Sequence, residues 1–275
     1  MRKCILKVLF LLIFGANASH AAVSICPTLI ELNANKTKSD YLTTSFVVKA
    51  DKNQTIRYKV YPEFFTINDD GTMNLVENAE TEKNNLVSHA RFVPNEFTLK
   101  NGEPQGIRVT FTKLKNLPEG ESRMVLFIED VAAKEIELPN KLKNVSTRLI
   151  VKTRIGLPIY VDKGRFIKNG NFNNLEVFEN EAKNLAYKLD LSSTGNSKVR
   201  YFGKGQIIKG KELIKEFNVN SHTIRANGIL SETAVLPKDL NKGDYTLRVI
   251  LNYKNEKGEN KTLIKETSFS VKTTI

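Results

Sequence analysis

The 275-residue chain has no tryptophan, two cysteines and three histidines, and no apolar run long enough to cross a bilayer. Each shortage closes a class of function. Cys4 falls in an N-terminal leader, which leaves Cys26 alone and rules out an intrachain disulfide framework. One usable cysteine and so few histidines cannot build a Cys/His zinc cage. Gly203-Lys204-Gly205 lacks the Gly-Lys-Ser/Thr ending of a phosphate loop. His89 and His222 have no nucleophile or acidic motif at telling spacing, so they read as ordinary surface or loop residues. Asp69-Asp70 reads as a solvated turn and Glu129-Asp130 as a strand end. Nothing here points to an enzyme, a cofactor or a metal.

What the chain does have begins with a leader. Arg2, Lys3 and Lys7 precede the apolar run Val8 to Phe14, and small residues follow at Ala16, Ala18, Ser19 and Ala21. This is the pattern of a cleavable secretory signal peptide over residues 1–21, with the cut after Ala21 and Ala18 as the alternative. Ile25 before Cys26 argues against a lipoprotein acceptor, because a small residue belongs there. Losing Arg2, Lys3 and Lys7 lowers the formal charge from +12 to +9. The mature chain is expected to be exported and not membrane-spanning.

Beyond residue 22 the dominant hydrophobic period is two. Thr43–Lys49, Thr55–Tyr61, Gly106–Thr112 and Tyr245–Tyr253 are rich in β-branched and aromatic residues, and Gly, Asn, Asp and Pro turns separate such runs. The best helix candidate, Lys211 to Phe217, is about two turns long and equally reads as a strand. The expected fold is all-β, with two sandwiches of about seven strands each. The polar stretch Asp162 to Arg165 suggests the hinge, giving domains at 22–161 and 165–275. Without tryptophan and a cysteine pair, neither has the core of an antibody domain. The lysines are scattered over both halves without aromatic interleaving, so a nucleic-acid partner is not expected.

One run breaks the pattern of short strands. From Val145 to Val161, alternate residues form a face that is almost wholly apolar or Thr, while the other face carries Arg148, Lys152, Arg154, Gly156 and Pro158. Pro158 lacks an N–H and points to an edge strand or a strand end. A long apolar edge strand templates pairing with another chain. Such pairing is read as its purpose.

The passage Arg91 to Thr110, with Val93-Pro94, Gln105 and Ile107-Arg108-Val109, is followed by Leu117-Pro-Glu-Gly-Glu-Ser-Arg123 and an apolar strand. Together with Ile155-Gly-Leu-Pro-Ile-Tyr-Val161, it resembles the periplasmic chaperones of the chaperone–usher pathway of pilus assembly. Leu240 to Val249 is similar to that family's closing strand pair. The resemblance is most specific over 91–161, weaker over 22–66 and a matter of layout over 165–275. It implies two immunoglobulin-like sandwiches set in an L, working in the periplasm. It also implies capture of pilus or fimbrial subunits by donor-strand complementation, without ATP or cofactor, and an outer-membrane usher as a further candidate partner.

By parity, Val145, Thr147, Leu149 and Val151 are the expected donor residues, while Ile155 and Leu157 belong to the chain's own core. Residues 132–144 are expected to form a loop that orders on a client. Family members hold the client's terminal carboxylate with an Arg in the first strand and a Lys near the end of the donor strand. Leu29 and Gly156 occupy those places here, which leaves Lys152 and Arg154 as candidate anchors. Arg108 and Arg123 are expected to make internal ion pairs. The competing reading is a secreted structural or adhesive two-domain protein in which residues 145–161 lie inside a sheet.

Overall fold

The computed structural model describes residues 23–50, 55–100, 102–132, 134–138 and 147–272, with only the backbone described for 134–138 and 147–149. Among these the protein is all-β, with four short 3-10 turns and no α-helix. The first half contributes β1 (Val23–Cys26), β2 (Ile30–Asn33), β3 (Tyr41–Ala50), β4 (Thr55–Glu63), β5 (Phe65–Ile67), β6 (Met73–Leu75) and β7 (Ala90–Val93). It continues with β8 (Glu96–Lys100), β9 (Pro104–Thr112), β10 (Gly120–Asp130), β11 (Lys134–Leu138), β12 (Thr147–Val151) and β13 (Arg154–Lys163). The second half holds β14 (Gly170–Glu179), β15 (Leu185–Ser193), β16 (Val199–Lys209), β17 (Glu212–Ile224), β18 (Ile229–Val235), β19 (Gly243–Lys254) and β20 (Asn260–Val271).

Period-two alternation builds the first sandwich. A sheet ordered β1-β3-β9-β7 packs on one ordered β2-β13-β10-β4-β8. Phe46, Val48, Ile107, Val109 and Phe111 from the first sheet meet Met124, Leu126, Leu157, Ile159 and Val161 from the second in one buried cluster. Burying an aliphatic or Phe side chain of this kind stabilises by about 1.5–3 kcal/mol before chain entropy is subtracted. Arg108, on the opposite face of β9 from Ile107 and Val109, is exposed and has no ion pair among the described residues, contrary to expectation.

The second sandwich has seven strands, ordered β14-β15-β18 and β17-β16-β19-β20, around a separate core that includes Leu189, Leu191, Tyr201, Ile207, Leu247 and Val249. Lys211 is in the turn and Glu212 onward forms β17, paired along β16, with Lys204, Gln206 and Glu216 joined across the pair. Its sequence carries no face of helical period, and pairing supplies the backbone partners.

Strand β10 is buried at every position. Its second face, bearing Val125 and Phe127, is covered by Phe65 and Ile67 from the β5–β6 hairpin and by Tyr160, with Leu29 and Leu75 packed alongside. Double coverage explains why Met124 to Ile128 is a continuous apolar run rather than an alternating one.

The run 145–161 is not one strand. β13 pairs β10 from Lys163↔Gly120 to Arg154↔Glu129, and β12 pairs β11 from Val151↔Lys134 to Thr147↔Leu138. Between Glu129↔Arg154 and Lys134↔Val151 one side has four intervening residues and the other only Lys152 and Thr153. The unequal spacing is a bulge. Asp130 N–H donates to Thr153 O at 3.0 Å, while Val131 N–H turns away to Arg57 O at 2.9 Å. The expected loop at 132–144 therefore contains a strand, β11, which pairs with β12; residues 139–144 lie outside the described residues.

The expected hinge is also shorter. Asp162 and Lys163 still belong to β13, opposite Glu121 and Gly120. Asp162 is buried because it accepts from Ser197 Oγ at 2.6 Å and ion-pairs with Lys168 at 2.9 Å across the two halves. A second contact comes from the β5–β6 turn, where Asp69 pairs with Arg225 at 3.0 Å and the Asp69 carbonyl accepts from Ser231 N–H at 3.0 Å.

Candidate functional site

The candidate site is a sheet edge. β13 has β10 on one side along its whole length, but on the other side β2 pairs only with Ile159 to Asp162, in parallel. Arg154 to Pro158 have no strand on that side among the described residues, and β12 has no partner there except β11. Pro158 sits one residue before the parallel pairing with β2 begins. Unpaired N–H and C=O groups along such an edge are kept satisfied by water and are available to an incoming strand.

The expected donor residues fall as follows. Val145 lies outside the described residues. Thr147 and Leu149 sit on β12 opposite Leu138 and Ile136. Val151, opposite Lys134, is half-buried, and its neighbour Ile150 is 63% exposed. Ile150 lies on the other face of β12 from Leu149 and Val151. The bulge at Lys152–Thr153 breaks the parity that would put Leu149 and Val151 on the face of Ile155 and Leu157. Leu157 is buried and Ile155 packs partly buried against the same core.

Lys152 and Arg154 converge on one ionic cluster. Glu129, at the end of β10, ion-pairs with Lys59 at 3.1 Å and lies 4.0 Å from Lys152. It also accepts a short hydrogen bond from the Tyr61 hydroxyl. That hydrogen bond, helped by Lys59, holds the Glu129 carboxyl below its ordinary value against the effect of burial. Burial, then the bond to Glu129, pushes the Tyr61 hydroxyl up. The Arg154 guanidinium lies 3.6 Å from Glu63, donates to Tyr61 Oη at 3.4 Å and stacks 4.4 Å over the Phe127 ring. Its planar face suits that aromatic contact. Both basic groups are already engaged by Glu129 and Glu63, and both remain about half exposed.

Leu29 and Gly156 both serve apolar packing. Leu29 packs against the Val125–Phe127 cluster. Gly156 lies opposite Phe127, and a Cβ there would come within 2.9 Å of Val125 Cγ2 and 3.0 Å of Phe127 Cε1. No longer side chain fits without moving the ring, and Arg154 occupies the space above it instead.

Other singled-out residues are structural. Arg123 makes the expected internal pair, with Glu121 at 3.2 Å, and donates from Nε to Phe65 O at 3.0 Å, which fixes the β5–β6 hairpin. His89 Nδ1 is 2.9 Å from Thr112 O. His222 is not a loose surface residue: it lies near the end of β17, 3.0 Å from the buried Glu232. The adjacent Glu232 carboxylate raises the His222 pKa above its ordinary value, outweighing partial burial. A His–Glu spacing of ten residues across two strands carries no local signal in sequence. The same is true of Arg154 over Phe127.

No known family model matches the chain, and no curated protein matches it. Several solved structures do. The class 5 fimbriae chaperone CfaA is 15% identical, covering 89% of this chain and 98% of its own, with a TM-score of 0.45. The YadV chaperone is 13% identical over 90% of this chain and 100% of its own, with a TM-score of 0.45. The Pseudomonas aeruginosa CupB2 chaperone is 11% identical over 88% and 99%, with a TM-score of 0.43.

Proposed function

We propose that this protein is an exported, periplasmic chaperone that holds pilus or fimbrial subunits by lending them the edge formed by β12 and the start of β13. The observation that carries the reading is the strand edge over Arg154–Pro158 and β12, which has no partner on its outer side among the described residues. Exposed Ile150 and half-exposed Val151 lie on it.

A subunit that lacks its last strand exposes an apolar groove and two unpaired sheet edges, both unfavourable in water. An added strand satisfies the backbone groups, and alternate side chains fill pockets in the groove. Val145, Leu149 and Val151, with Thr147 as a weaker plug, are the residues proposed to enter it. Each apolar side chain so buried contributes roughly 1.5–3 kcal/mol before ordering costs are subtracted. The process needs no ATP, cofactor or metal, and an outer-membrane usher would receive the complex.

Lys152 and Arg154 are proposed to meet the client's carboxylate at the bulge. To do so they exchange Glu129 and Glu63 for the incoming group, a swap between partners of like charge and geometry.

The test is capture of a co-expressed pilus subunit by the double variant Leu149→Glu/Val151→Glu. Loss of capture with an unchanged denaturation midpoint supports the donor assignment, and undiminished capture refutes it. An unstable double variant would instead place these side chains in the protein's own core, as a structural or adhesive protein would have them.

A further inference from the structure

A second feature lies away from the strand edge, where β2 meets the second sandwich. A cavity of about 300 Å³ is lined by Glu31 on β2 and by Lys168, Lys198, Arg200, Phe202 and Lys254. Four cations and one carboxylate line it, with Asp162, Glu121 and Glu256 in contact with two of the lysines. Two of the four are committed: Lys168 to Asp162 at 2.9 Å, and Lys198 to Glu31 at 2.8 Å with Glu121 at 3.7 Å. Arg200 and Lys254 are exposed and have no ion pair among the described residues.

The floor of the cavity is unusual. The Lys198 side chain is only 1% exposed, with its ammonium 3.6 Å from the centroid of the Tyr160 ring. Its Nζ makes no well-aligned hydrogen bond to any described residue, although Glu31 is close enough to balance its charge. An ammonium has three donors, and leaving them unmet in a buried place is costly. Burial alone would push the Glu31 carboxyl up, yet Lys198, with Lys168 and Arg200, holds it below its ordinary value. With Glu31, Asp162 and Glu121 matched to Lys168 and Lys198, Arg200 and Lys254 are the charges left for an anion.

We propose that this cavity binds a small oxyanion, a phosphate or carboxylate group, held between Arg200 and Lys254 above the buried ammonium of Lys198. The guanidinium offers a planar fork that matches two oxygens, and Lys254 adds a mobile point charge. The buried ammonium acts through a less screened medium than a surface lysine does. Arg200 and Lys254 belong to the other sandwich from β12, so failure of subunit capture and failure of anion binding are separate results.

The experiment is a titration of the full mature chain with inorganic phosphate and, separately, with acetate, at low salt, followed by calorimetry and by thermal shift. Saturable binding of one anion per chain is expected, with a rising melting temperature because the ligand binds only the folded state. Arg200→Gln/Lys254→Gln should weaken it at least tenfold. Lys38→Gln/Lys242→Gln, which removes the same charge from exposed sites elsewhere, should leave it unchanged. Binding of phosphate alone assigns a dianion site, and binding of acetate alone or of both assigns a carboxylate-competent one; each upholds the proposal. Absence of saturation by either anion, or equal loss in both double variants, overturns it.

Discussion

The two ends of the segment from Thr147 to Lys163 have similar composition and different fates. Residues 159–162 lie between β10 and β2, with Ile159 and Val161 fully buried. Residues 147–158 have a strand on one side only among the described residues, and Ile150 stands in solvent. Apolar character alone does not distinguish the ends; the number of neighbouring strands does. A covered apolar strand is core, whereas an uncovered one is either a hazard or a binding edge.

The largest expected effect lies at the covered end. Val161→Asp would bury a carboxylate without a partner, and should cost about 3–5 kcal/mol or abolish folding, as read by urea denaturation. A mild loss would mean that this end is less covered than the pairing with β2 implies.

Gly156→Lys comes next. Its Cβ must displace Val125 and Phe127, so a loss of about 1–3 kcal/mol is expected, together with loss of the Arg154 stacking. If the variant is as stable as the parent, the reason given for glycine at this site is wrong.

A smaller effect concerns β17, which has a similar contrast. Its start exposes Leu213 and Ile214, while at its end His222 pairs with Glu232 beneath Gly71 of the β5–β6 turn. Because the folded-state pKa of His222 is raised, its contribution to stability is fully present below the unfolded-state value of 6.5 and is lost as pH rises through the folded value. Denaturation of the parent should therefore show a fall in stability as pH rises above the unfolded-state value of 6.5 that His222→Gln lacks. Parallel pH profiles would remove the pair from the account.

Ile150→Glu should be the least disruptive to the fold, within about 0.5 kcal/mol of the parent, since its side chain is already in solvent. Because Ile150 lies on the opposite face of β12 from Leu149 and Val151, the same variant should leave subunit capture unchanged, and loss of capture would show that the other face meets the client.

Much of this was legible in sequence. Alternation at Phe46 and Val48, at Ile107 and Val109, and at Leu157, Ile159 and Val161 identified the core faces, because burial on one side of a sheet imposes period two. What escaped depended on contacts between distant residues. The bulge at Lys152–Thr153 accompanies the turning of Val131 N–H to Arg57 O rather than into a ladder with β12. The charged residues of β11 mask a strand in sequence that pairs locally with β12. Arg154 over Phe127 and Lys198 against Tyr160 join residues with no pattern between them. The open edge was legible through Pro158, whereas the ionic cluster around Glu129 was not.

The most direct measurement is amide hydrogen exchange over residues 150–158 with and without a co-expressed pilus subunit. Amides on the outer side of this edge should exchange quickly in the free protein and become protected in the complex, while those of Ile159 to Asp162 stay slow in both. Equal protection of 150–158 in the free and mixed samples, under conditions where the subunit is bound, would contradict strand donation from this edge.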